Sequence, residues 1–163
     1  MNIVFEPLEE KHRQSVIDIL NYYIKTTTAA FREDIVDYNH FDKIIDKDAV
    51  YSGYAITIDG GELVGFCTLE AFKNIKPFKK TAEATYFIKK EYIGKGIGKR
   101  ALQQLEDDAK NIGISKIIVD ITDDNKSSLM FHERNGFSEY GRLKKCWKKF
   151  GKELGIVYME KDI

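Results

Sequence analysis

The stretch Ile93-Gly94-Lys95-Gly96-Ile97-Gly98-Lys99 constrains this chain more than any other. It follows a β-prone run ending at Ile88-Lys89-Lys90. It precedes a segment in which Ile97, Ala101, Leu102, Leu105, Ala109 and Ile112 recur at helical spacing, closed by Gly113. A strand must therefore pass through glycines into the N-terminus of an amphipathic helix. Glycine lets the backbone turn tightly and approach a ligand. The helix aims free N–H groups and the positive end of its dipole at that turn. The combination suits a pyrophosphate, with Lys95, Lys99 and Arg100 adding charge. Two common nucleotide motifs are excluded by spacing: GxxxxGK[ST] would start at Ile93 and end at Arg100, and GxGxxG does not match the GxGxG found here. By itself the turn is also compatible with a tight connection that holds no ligand.

Around it, hydrophobic periodicity orders the rest. Ile3–Glu6 reads as a strand, and Lys11–Thr26 as a helix whose face is Val16, Ile17, Leu20, Tyr23 and Ile24. A short second helix is expected around Tyr38–Asp48. Val50–Ile58 and Leu63–Phe72, split by Asp59-Gly60-Gly61, form a hairpin signal, and Thr81–Lys89 is a further strand. Ile117 to Ile121 is a buried strand, Lys126–Asn135 a short helix stopped by Gly136, and Phe137–Trp147 with Gly155–Lys161 a closing pair of strands. The order βααβββαβαββ predicts an α/β chain, one domain over residues 1–163, with a mixed sheet covered by helices on both faces.

Composition removes several functions. The 26 Lys and Arg balance the 26 Asp and Glu, which argues against a nucleic-acid partner. No apolar run approaches the ~18–20 residues of a membrane-spanning helix, and the N-terminus lacks a secretory pattern, so the expectation is a cytoplasmic protein with no membrane partner. Cys67 and Cys146 are far apart without a CxxC, so neither a disulfide nor a zinc site is indicated, and Cys67 reads as a core residue. His12 and His40 have no motif around them and read as surface residues.

The glycine turn resembles the coenzyme A signature (Q/R)xxGx(G/A) of the GNAT acetyltransferase superfamily, with Gly96 and Gly98 at the small positions and Ile93 in place of Gln or Arg. A closer resemblance, to phosphinothricin N-acetyltransferase-like proteins, spans nearly the whole chain. It is carried by Asn21-Tyr22-Tyr23-Ile24 with Thr27 and Phe31, by Thr81-Ala82-Glu83 running on to Phe87-Ile88, and by Asn125, Ser128, His132-Glu133 and Gly136-Phe137. The tail Gly141-Arg142-Leu143 with Lys149-Phe150-Gly151 completes it.

The resemblance implies a GNAT fold with a mostly antiparallel central sheet, acetyl-CoA as cosubstrate, no metal, a homodimer, and acetylation of the amine of a small molecule. It implies catalytic roles for Glu83 as base and His132 as a second proton-handling group. It places coenzyme A on Gly94, Lys95, Gly96, Ile97, Gly98 and Lys99, on Asn125 and Ser128, and along the backbone of Tyr86, Phe87 and Ile88. Thr28, Phe31, Lys73, Phe78 and Phe150 would form the acceptor pocket. The chemistry asks for such a set: alkylamines have pKa values near ~10 and must lose a proton to attack, and a positioned base is typically worth ~10²–10⁴ in rate. The chain departs from the family where Ile75 replaces an Arg, Phe78 a Tyr, Glu153 a Trp and Gly155 an Asp, all near the expected acceptor side. Two other readings stand beside this one: acetylation of a peptide or protein amine, and a non-catalytic coenzyme A-binding module.

Overall fold

The computed structural model describes all 163 residues. Strands β1 (Ile3–Pro7), β2 (Val50–Ile58), β3 (Glu62–Ala71), β4 (Thr81–Ile88), β5 (Lys116–Thr122), β6 (Ser138–Lys149) and β7 (Lys152–Asp162) form one sheet in the order β1-β2-β3-β4-β5-β7-β6. Helices are α1 (Arg13–Thr26), α2 (Phe41–Ile44), α3 (Ile97–Asn111) and α4 (Lys126–Arg134). All neighbouring strands run antiparallel except β4 and β5. Those two are joined by a crossover through α3, the connection that parallel neighbours require.

Two cores flank the sheet. Ile97, Ala101, Leu102, Leu105 and Ala109 of α3 pack with Cys67, Leu69, Ile117, Val119 and Met159 on one face. Val16, Ile17, Ile19, Leu20 and Ile24 of α1 pack with Phe41 and Phe66 on the other. The hairpin turns at Asp59-Gly60-Gly61, whose φ angles of 39°, 105° and 118° are all left-handed, and Ile58 pairs with Glu62 across it. No helix is long and apolar enough to cross a membrane.

Several expectations need correction. The short second helix stops before Asp48: a 3-10 turn over Tyr38–His40, capped by the Asp37 carboxylate accepting from the Asn39 N–H at 2.9 Å, leads into Phe41–Ile44 alone, because the polar Asp46-Lys47-Asp48 has no face to bury. Ile112 is 56% exposed. The helix ends at Asn111, and Ile114 turns inward after Gly113 instead. His12 is buried: its Nδ1 accepts the Glu9 N–H at 3.0 Å, and its Nε2 lies 3.6 Å from the Glu6 carboxylate. It caps the entry to α1 rather than facing solvent.

The β4–β5 pairing positions the site. Only Thr81↔Lys116, Ala82↔Ile117 and Glu83↔Ile118 are in register, after which the strands part. From Ala84 to Ile88, β4 stays paired to β3 but has no partner on its other edge. That leaves roughly 16 Å of unpaired backbone facing a gap, at about 3.3 Å per residue.

The β6–β7 hairpin leaves no room for a side chain at one position. The register jumps between Leu143 and Trp147, and Lys145 takes a φ of 49° there. Gly155 faces this irregular stretch, and a β-carbon on it would lie 2.4 Å from the Leu143 carbonyl oxygen and 2.6 Å from an Asp123 carboxylate oxygen. Gly155→Ala is expected to destabilise the fold by about 1–3 kcal/mol, the usual cost of overpacking. Gly141→Ala, whose β-carbon would meet only Tyr158 at 3.8 Å, serves as the near-neutral control in urea unfolding.

Candidate active site

The gap between the parted strands opens into a cleft of about 910 Å³, walled by the ends of β4 and β5, the glycine turn, the start of α4 and the segment after α1. At the turn Gly94 and Gly96 have φ of 80° and 82°, and a β-carbon on either would meet nothing within 4 Å. These glycines are required by backbone conformation, not by crowding. Gly96 caps α3 without any side-chain bond to its first-turn amides, so those N–H groups remain free at the positive end of a 15-residue helix. Gly94, Gly96, Gly98 and Lys99 line the cleft, joined by Lys90. Two members of the expected set point their side chains elsewhere: Ile97 is fully buried in the core, and the Lys95 ammonium lies 5.0 Å from the Tyr92 ring centre. Asn125 and Ser128 line the cleft, and Asn125 also caps α4 by accepting the Ser128 N–H at 3.3 Å.

Alternation along β4 sends Ala84, Tyr86 and Ile88 toward α3, and Glu83, Thr85 and Phe87 toward the α1 face. Glu83 is directly paired with Glu70 on β3, and Asp120 stands two residues beyond its β5 partner Ile118. Three carboxylates thus lie in a row across one sheet face, a costly arrangement for like charges. Burial first, then the charges of Asp120 and Glu70, push the Glu83 carboxyl up to about 7. One carboxylate oxygen of Asp120 is buried with no hydrogen-bond partner, and burial raises its pKa as well. No group of three His, Cys, Asp or Glu side chains is gathered closely enough to hold a metal ion. Asp120 was legible only as a lone acid in the apolar run Ile117-Ile118-Val119-Asp120-Ile121.

His132 reaches the cleft from α4 and is only 3% exposed. Its Nδ1 lies 2.7 Å from the Ser128 carbonyl oxygen, so that nitrogen carries the proton and Nε2 accepts from the Tyr86 hydroxyl. Burial pulls its pKa down to about 4, leaving a neutral imidazole, while burial raises that of Tyr86. Neither ring nitrogen has a proton aimed at the cleft; the Tyr86 hydroxyl is the group His132 engages.

A second cavity, of about 600 Å³, lies on the α1 face and shares Phe31, Thr85 and Phe87 with the cleft. Its roof is the segment after α1. Lys149, 1% exposed, donates to the Ala30 carbonyl at 3.0 Å, and Thr122 donates to the Thr28 carbonyl at 2.6 Å. Thr28 lines the cleft, but its hydroxyl is committed to Asp124 at 2.6 Å. Phe31 lies 5.2 Å from the Trp147 ring. Lys73 and Phe78 line neither cavity: the Lys73 ammonium sits 4.8 Å from the Phe78 ring, which packs on Phe72. Phe150, with a φ of 52° at the β6–β7 turn, is exposed and also outside both.

A glycine turn with free helix N-terminal amides opens onto parted parallel strands, with a raised carboxyl at the fork. Residues 16–137 match the profile of the acetyltransferase (GNAT) family, and the chain belongs to that family. It is similar to the L-methionine sulfoximine/L-methionine sulfone acetyltransferase of Pseudomonas paraeruginosa, 27% identical over 91% of this chain and 87% of that protein. It is similar also to an L-amino acid N-acyltransferase of Escherichia coli, 24% identical over 90% and 86% respectively. Among solved structures, a phosphinothricin acetyltransferase from Sinorhizobium meliloti in complex with acetyl-CoA superposes with a TM-score of 0.90 at 22% identity, covering 100% of this chain and 89% of that one.

The row of carboxylates yields a direct test. Asp120→Asn removes a charge that raises the Glu83 pKa, so the Glu83 carboxyl should titrate below about 7 in that variant. Carbon-13 NMR titration of the side-chain carboxyl reads the shift, and an upward or absent shift would show that Asp120 does not act on Glu83.

Proposed function

We propose that this acetyltransferase moves the acetyl group of acetyl-CoA directly onto the amine of a small, amino-acid-like acceptor, with Glu83 as general base. The observation that carries the reading is Glu83 itself: a carboxyl titrating near about 7 at the fork of β4 and β5, beside a turn built for phosphate. A base poised near working pH is half ionised and still strong enough to take a proton.

The residues present fit acetyl-CoA. The uncapped amides of α3, with Lys99 and Lys90 alongside, suit its pyrophosphate, and the unpaired edge of β4 suits an extended amide-bearing arm in the manner of an added strand. When bound there, acetyl-CoA supplies an activated acetyl thioester. Glu83 takes the proton that an ammonium must lose, and Glu70 and Asp120 make that end of the site attractive to a cationic amine. His132 acts through Tyr86, fixing the phenol against the cleft wall on the α3 face. Acceptor and donor sides are thereby divided between the two sheet faces.

Relatives named for amino-acid substrates support a small acceptor, and the cavity on the α1 face, about 600 Å³ and open to solvent, falls within the ~300–1,000 Å³ common for small-molecule sites. The same reading makes the protein a cytoplasmic homodimer, for which Tyr140 and Leu143, exposed on edge strand β6, offer apolar surface.

Thiol release from acetyl-CoA against a panel of amino acids and amines tests the proposal. Glu83→Gln should lower kcat by about 10²–10⁴-fold while acetyl-CoA binding persists. In the wild type kcat/KM should rise through a limb near pH 7, where Glu83 ionises. Acetyl-CoA binding without turnover on any amine would favour the non-catalytic module. Light scattering separately decides monomer from dimer.

A further inference from the structure

Two of the three carboxylates on the α1 face, Glu83 and Asp120, line the cleft between the parted strands. Glu83 closes the β4–β5 ladder, and Asp120 is the next residue of β5 on the same face, past the point where pairing stops. It borders the gap about 7 Å further along, two residues at about 3.3 Å each. Glu70 stands apart: it lines the second cavity and accepts the Thr68 hydroxyl at 2.6 Å. Asp120 has no such donor. Its Oδ1 is one of two buried side-chain polar atoms in the chain without a hydrogen-bond partner, the other being the Ser52 hydroxyl. A buried carboxylate oxygen that no N–H or O–H of the protein meets is an acceptor left for what enters the cleft.

The groups around it are acids and phenols. Glu83 and Glu70 lie across β4 and β3, Tyr158 is its register partner on β7, and Tyr140 of β6 packs beside Tyr158 with ring centres 5.9 Å apart. Burial first, then the charge of Asp120, hold both phenols above their usual range, so they stay protonated near neutral pH. Nearby cations are engaged by other acids: Lys116 by Glu160 at 3.0 Å, and Lys152 by Asp124 at 3.2 Å.

We propose that Asp120 is the second proton acceptor of acetyl transfer, taking the proton that the acceptor nitrogen releases after it has attacked. The inference rests on the acetyl-transfer reading and adds a catalytic residue to it. The proton count asks for two acceptors. An ammonium brings three N–H bonds to the site, and the amide product keeps one. Glu83 takes the first proton, whose bonding pair stays on nitrogen and forms the new N–C bond. Nitrogen is then positive again, and a second N–H bond breaks as the C–S bond breaks with its pair going to sulfur. At that moment Glu83 already holds a proton, and Asp120 beside it takes the other. One of the two protons ends on the coenzyme A sulfur and one in solvent, which restores both carboxylates. Burial raises the Asp120 carboxyl from its ordinary value, making it a better base than a solvated aspartate. An acceptor that arrives neutral sheds a single proton, and for it Glu83 suffices.

The test compares an amino acid that the wild type acetylates with its aminooxy counterpart, whose nitrogen is neutral at neutral pH, in the wild type, Asp120→Asn and Asp120→Glu. At saturating acceptor, and above the pH limb set by Glu83, Asp120→Asn should lower kcat for the ammonium acceptor by about 10²-fold. The aminooxy acceptor should lose far less, and Asp120→Glu should recover part of the loss. Equal losses with both acceptors would mark a structural role, and a loss confined to KM would leave Asp120 a mere attractor of cations; either outcome would overturn the proposal. Carbon-13 NMR of the Asp120 carboxyl reads the same residue without turnover. It should be ionised near neutral pH, and a protonated carboxyl there would remove the second acceptor. Absent turnover in the wild type would strike the acetyl-transfer reading itself, and this proposal with it. Acetyl-CoA should raise the thermal midpoint of each variant as it does that of the wild type, which verifies folding.

Discussion

Everything at the candidate site depends on two parallel strands that stop pairing. After Glu83↔Ile118 the β4–β5 ladder ends, although both strands continue. Unpaired backbone groups inside a protein are costly unless something meets them, and the fold tolerates them only because they border a cleft. The separation is held by what stands on each side. Tyr23, on α1, donates its hydroxyl to the Ile88 carbonyl, and β5 is drawn away by seven antiparallel pairs with β7. Phe131 and His132 of α4 pack near Tyr86 across the opening.

From this fork the electrostatics follow. Strand register brings Glu70, Glu83 and Asp120 onto one face, and partial burial keeps water from screening them. A sheet optimised for stability would not place acids in adjacent positions, nor leave a buried Asp120 oxygen without a donor. Such local violations are characteristic of functional positions. The opposite face holds neutral polar groups instead, the Tyr86 hydroxyl and the His132 imidazole, closed on each other and on Ser128.

Much of the architecture was readable from local pattern. The hairpin follows from Asp59-Gly60-Gly61, the glycine turn between strand and helix from GxGxG before a helical period, and the core helix from the spacing of Ile97 to Ala109. Each depends on residues close in sequence. The fork did not announce itself, because strand separation involves backbone pairing and leaves no side-chain signature. Asp120 showed only as a lone acid for a related reason: its significance lies in the register that brings it beside Glu83. His12 was misplaced because capping by an imidazole has no strong pattern. Lys73 and Phe78, expected at the acceptor, satisfy each other through a cation–aromatic contact that spacing could not foresee. The resemblance pointed to positions on the chain, but not to where this chain's own side chains go: Lys73, Phe78 and Phe150 line neither cavity.

The cleft draws its lining from both faces of the sheet: Tyr86 and His132 from one, Glu83, Thr85 and Thr28 from the other. It is therefore a window through the sheet, not a groove upon it. On the proposed function, donor and acceptor would approach this window from opposite faces and meet edge-on in the plane of the strands, kept apart until then by the thickness of a single layer of backbone.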